Sequence, residues 1–146
     1  MLDFEKFIDK HYNSYPLACK ELSEGRKRSH WMWWMFPQIE GLAYSFMSHK
    51  YAINDIDEAK EFLAHPVLGT HLKNLSDLLL KNESSDAEWV MGYPDNLKLR
   101  SSMTLFLEAD PNEQVFQKVL DKFYNGEKDE KTLEILNNLR KGGING

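Results

Sequence analysis

The sequence predicts an all-α fold, a single compact domain of about seven or eight short helices around a central Trp-rich helix. Three observations predict it. Apolar residues recur at helical spacing in nearly every segment, and no stretch shows the period of two that marks a half-buried strand. Helix start and stop signals punctuate the chain throughout. Finally, the basic cluster Arg26-Lys27-Arg28-Ser29-His30 runs directly into the large apolar residues Trp31-Met32-Trp33-Trp34-Met35-Phe36. A surface helix keeps a polar face, so this apolar half has to be buried nearly all round.

The elements follow in order. Asp3 caps a helix carrying Phe4, Phe7, Ile8 and His11. Pro16 opens a second short helix, which Gly25 closes. The block from Arg28 to Phe36 is read as the next helix, stopped by Pro37. From Gln38 to Asn54 the pattern is irregular and suits a connecting loop. Asn54 caps a helix with Asp55, Asp57 and Glu58 in its first turn, where negative charge suits the helix dipole. His65-Pro66 ends it, and Leu68, Leu72, Leu75 and Leu79 carry another helix to Lys81. Ser85 with Glu88 resembles a capping box ahead of Trp89 and Val90. Asp95 caps the helix of Leu99, Met103 and Phe106. Asp110-Pro111-Asn112-Glu113 reads as N-cap, N1 and N3 of a further helix, which Gly126 ends. Asp129 caps the last one, through Leu133, Leu136 and Leu139.

The chain has 146 residues, 42% hydrophobic and 12% aromatic, enough for one domain with one core. Residues 1–141 form the helical domain, and Gly142, Gly143 and Gly146 mark 142–146 as a flexible tail. The net charge of −5 argues against a nucleic-acid partner or an anionic membrane surface, which needs a basic field. The single cysteine, Cys19, is read as a small buried hydrophobe. The N-terminus lacks the apolar run of a signal peptide, and the longest apolar run falls far short of a membrane span. The expected protein is soluble and cytoplasmic, a monomer or weak homodimer.

Two blocks carry the candidate chemistry. If the first is helical, Arg26, His30 and Trp34 fall at i, i+4 and i+8 on one face, with Trp33 adjacent. Such a strip can stack a planar group and hold an anion while His30 exchanges a proton. The second block is Asp95 to Phe106, with hydroxyls at Ser101, Ser102 and Thr104 inside a helix. These let a neighbouring helix approach closely or, with Lys98, face a shared ligand cavity. The expected site has His30 and Glu58 as proton carriers. Arg26, Lys27, Ser29, Trp33, Trp34, Gln38, Lys98, Ser101 and Ser102 bind the ligand. No metal and no cofactor are expected: His65 and His71 lack supporting ligands, and no Gly-rich phosphate or dinucleotide fingerprint is present. The expected function is a small-molecule enzyme of hydrolase or lyase type acting on an anionic nucleotide-like or phosphorylated metabolite. The alternative is a non-catalytic protein-interaction module that uses the aromatic-rich block.

The block Arg26 to Gln38 resembles the family called domain of unknown function 1810. The resemblance continues through Gly41-Leu42, Tyr51-Ala52-Ile53, Glu58-Ala59, His65-Pro66-Val67-Leu68-Gly69, Asp95, Lys98 to Phe106, and Thr132-Leu133. Ala43 departs from the Gly expected after Gly41-Leu42, and Trp34 stands where Phe is usual. The resemblance implies a small, mostly helical, bacterial-type domain, and it implies no activity. A calpastatin-like label on some relatives does not suit this composition, which is that of a packed globule.

Overall fold

Helix α1 (Phe4–Ser23) starts where Asp3 accepts the Glu5 N–H, and it runs on past Pro16. The break expected at Pro16 is absent. Pro16 lies on the exposed face, so the Tyr12 carbonyl left without a helical donor can turn to water. Burial of Phe7 and His11 on one side of it, and of Ala18 and Leu22 on the other, holds both halves in line. Gly25 ends the helix at a left-handed φ of 98°, its N–H on the Leu22 carbonyl. The chain is seen as a computed structural model that describes residues 1–145, with side chains through Gly142.

Eight further helices follow among the described residues. They are α2 (Met32–Met35), α3 (Phe46–Lys50), α4 (Ile56–Ala64), α5 (Leu68–Lys81), α6 (Ala87–Met91), α7 (Asp95–Ala109), α8 (Gln114–Tyr124) and α9 (Glu130–Asn145). The expected tail over 142–146 falls partly outside the described residues. Within the segment read as a loop, α3 forms, and Ile39 pairs with Ile53 in one isolated parallel bridge.

Several caps sit one or more residues from their expected places. Asp55, not Asn54, caps α4, and Asp86, not Ser85, caps α6. Helix α8 begins three residues later than Asp110-Pro111 suggests, at Gln114 with Glu113 as N-cap. The Asp110 carbonyl takes the Glu113 N–H and its carboxylate takes the Asn112 N–H, which closes a separate turn first.

The Trp-rich block folds differently from the long helix read in the sequence. Only Met32–Met35 is helical, and this short α2 rests mainly on α1. The helix buried nearly all round is α7, with nine of its 15 residues in the core. It packs on α4 and α8, and α6 and α9 also touch it. The main packing of α7 is thus with α4 and α8, and not with the Trp-rich block. Helices α4 and α5 meet at Gly69, where a Cβ would lie 2.0 Å from the Leu63 carbonyl oxygen.

Candidate functional site

The site begins with a carboxylate in the last turn of α1. Glu21, 5% exposed, accepts the backbone N–H groups of Arg28 and Ser29 at 2.8 and 2.9 Å, the Trp31 indole N–H at 2.9 Å, and the Ser29 hydroxyl. Burial alone would raise its pKa, but these donors outweigh it and hold the carboxyl below the ordinary value. The segment after α1 is thus pinned in a non-helical course. Its side chains alternate as in a strand. Arg26 and Arg28 point to an outer groove, while Lys27 and Ser29 turn inward to carboxylates. The strip of Arg26, His30 and Trp34 expected on one helix face does not form, because that face requires a helix where Glu21 captures the backbone donors.

Lys27 and Lys98 share one partner. The Asp95 carboxylate meets the Lys27 ammonium at 2.8 Å and the Lys98 ammonium at 3.1 Å. Lys27 also donates to the Ser29 carbonyl and lies over the Trp31 ring, 4.9 Å from its centroid. Lys98 lies 3.9 Å over the Trp33 ring, within cation–π range. Two cations, one carboxylate and two indoles therefore form a corner that draws on both motif blocks. Trp33 is half-buried, and with Gln38 it lines a cleft against the 38–52 segment. The cavity there is about 10 Å³, room for a single water.

The other expected site residues are placed as follows. His30 is exposed, and no described contact joins it to the Lys27–Asp95–Lys98 corner. Trp34 is buried, T-shaped to Tyr51 at 5.3 Å between centroids and with the Lys10 ammonium 4.9 Å over its ring, so its face is not open for stacking. Its indole N–H is buried without a partner. Glu58 accepts the Asn54 N–H at 2.9 Å and lies 3.8 Å from the terminal amine, a helix-start role. Ser101 donates to the Leu97 carbonyl and to Asp129 at 3.1 Å, tying α7 to the start of α9. Ser102 is fully buried with no partner. No described contact joins Glu58, Ser101 or Ser102 to the Lys27–Asp95–Lys98 corner.

Two sets of polar residues were not legible as functional groups. Asp95 reads as a helix cap in the sequence, and nothing there marks it as the bridge between two lysines; Glu21 gives no signal at all. The second set lies between α1 and α5. His11 donates its Nε2–H to the Trp34 carbonyl at 2.7 Å, which leaves Nδ1 to accept from His71 Nδ1 at 3.0 Å. Tyr15 stacks on the far side of His71, with ring centroids 3.5 Å apart. Burial, chiefly, pushes the pKa of His11 down to about 4 and lowers that of His71. Cys19, one turn beyond Tyr15, is half-buried rather than fully buried.

A model described as "Protein of unknown function (DUF1810)" matches residues 1–136. The chain belongs to this family. Its fold is similar to the crystal structure of the conserved hypothetical protein Rv1873 from Mycobacterium tuberculosis, at 38% sequence identity and a TM-score of 0.90. The match covers 92% of this chain and 96% of that one. Curated proteins show no match to the chain. No helix among the described residues is long and apolar enough to cross a membrane.

Proposed function

We propose that the Lys27–Asp95–Lys98 corner and the Trp33 ring bind a small anionic ligand with a planar part, of nucleotide-like or phosphorylated type. The observation that carries this reading is the sharing of one carboxylate by two ammonium groups over two indole rings. One positive charge is left over, and it sits beside the partly open Trp33 ring. Lys98 is the mobile cation of the pair, at 20% side-chain exposure against 6% for Lys27. It would swing from Trp33 to the anion and leave the ring to the planar group, with Gln38 at the cleft wall. Arg26 and Trp34 have no part, since Arg26 lines the outer groove and Trp34 is buried against Tyr51. Glu58, Ser101 and Ser102 are likewise left out, being engaged in caps or enclosed in the core.

The reaction class proposed is hydrolytic or lyase-like, with exposed His30, the sequence neighbour of Ser29, as the proton carrier. A thermal-shift screen of nucleotides and phosphorylated metabolites tests binding. A ligand at 100 times its Kd should add about 2.7 kcal/mol of stability. Lys98→Ala and Trp33→Ala should each remove that gain. Absence of any shift across a broad anionic panel would count against the site. A shift that survives Lys98→Ala would place the ligand elsewhere.

A further inference from the structure

We propose that the groove rimmed by Arg26, Arg28 and Lys81 docks an acidic peptide segment of a partner protein. The groove is a concavity of about 940 Å³ between the ends of α1 and α5, with Leu22 and Leu78 on its floor and Trp89 of α6 in its wall. The Arg26 guanidinium carbon lies over the Trp89 ring, 3.9 Å from its centroid. A guanidinium held on a ring face can still offer its N–H donors to a carboxylate. None of the three cations makes an ion pair among the described residues. In a chain of net charge −5, these three unpaired cations outnumber the two carboxylates of the rim, Glu24 and Glu83, and make it a local complement to negative charge.

The shape favours a peptide over a small molecule. A second concavity of about 520 Å³ continues past the same Arg26–Trp89 pair and takes in Tyr93. Together the two exceed the roughly 300–1,000 Å³ of an ordinary ligand pocket. Trp89 and Tyr93 are 52% and 72% exposed, and exposed aromatic rings beside an arginine have the composition of an interface hot spot. Charge sets the direction of the occupant. Asp86 and Glu88 flank the Tyr93 end, so the acidic part of the peptide lies over Arg26, Arg28 and Lys81, and an apolar residue lies over Trp89 and Tyr93. Glu24 and Glu83, also on the rim, would repel the unbroken charge of a nucleic-acid backbone, whereas spaced carboxylates can pass between them. The N–H groups of Arg26, Lys27, Arg28 and Ser29 are all used internally, so recognition runs through side chains and not through strand addition.

Fluorescence anisotropy with labelled decapeptides tests this, each carrying a Glu- or Asp-rich half and a Phe or Leu in the other half. Acidic peptides should bind, more weakly as salt rises, and lysine-substituted counterparts should not. Arg26→Glu with Arg28→Glu should weaken binding by about tenfold or more, while Lys131→Glu, on α9, leaves it unchanged. Both arginines are exposed, and an unchanged melting temperature would confirm that the double variant folds. Three outcomes would overturn the proposal: no acidic peptide binds, binding survives the double substitution, or a single-stranded oligonucleotide binds more tightly than every peptide.

Discussion

The Lys27 ammonium and the Asp95 carboxylate meet at 2.8 Å, with the lysine side chain only 6% exposed. This pair fastens the segment before α2 to the first turn of α7. Asp95 suits that position twice over, because the amino end of a helix favours negative charge. The two polar motif blocks, some seventy residues apart in sequence, meet at this bond.

Removing the carboxylate should therefore hurt more than removing the amine. Asp95→Asn strands a buried ammonium, at a cost of about 3–5 kcal/mol. Lys27→Met removes that buried charge and keeps apolar volume over Trp31, so the cost should be smaller. Urea denaturation of the two variants checks the order.

Glu21→Ala should cost about 3 kcal/mol, because it leaves four donors facing an apolar interior. Glu21→Gln should cost less than half as much. The amide oxygen can replace Oε1, which serves three of the four donors, and the Ser29 hydroxyl can turn to accept from the amide nitrogen. Chemical denaturation of both variants at neutral pH separates the two outcomes.

Acid should destabilise the protein in two steps. His11 is held neutral, with its folded pKa at about 4 against an ordinary 6.5, so the unfolded chain binds the extra proton first. Stability is then intact above pH ~6.5 and falls by roughly 3 kcal/mol as pH drops towards 4. Glu21, whose folded pKa is depressed, adds stability above its unfolded value that is lost only at lower pH. Melting curves from pH 7.5 to 4 should slope downward in wild type and less steeply in His11→Gln, where the lowered pKa of His71 still contributes. A parallel slope in the variant would remove His11 as the cause.

Gly69→Ala should destabilise by about 3 kcal/mol or more. The added methyl would meet backbone, the Leu63 carbonyl at 2.0 Å, and no side chain can rotate away to relieve it. Calorimetric melting of the purified variant, or its failure to accumulate folded, gives the answer.

Trp31→Ala should cost about 3–5 kcal/mol, as expected for a fully buried ring, and Trp33→Ala clearly less. Trp33 is half-buried and its upper face meets Lys98 rather than core. Equal losses would show that Trp33 is as much a core residue as Trp31.

Fold class and most of the helices are legible along the chain alone. Periodicity along α5 and α8, the Asp3 and Asp129 caps and the Gly25 stop are local signals, set within a few residues by backbone donors and side-chain spacing. Contacts between distant segments set the rest. Six apolar residues in a row read as a long helix, yet Glu21, supplied by another element, takes the Arg28 and Ser29 donors and permits only one turn of α2. Pro16 reads as a boundary, yet packing on both sides of it keeps α1 whole. Ser101 and Ser102 read as ligand groups, yet one binds Asp129 and the other lies closed in the core. Lys27, Asp95 and Lys98 carry no sign in sequence of sharing a bond. Long-range hydrogen bonds and ion pairs depend on which surfaces meet, and that depends on the whole chain at once.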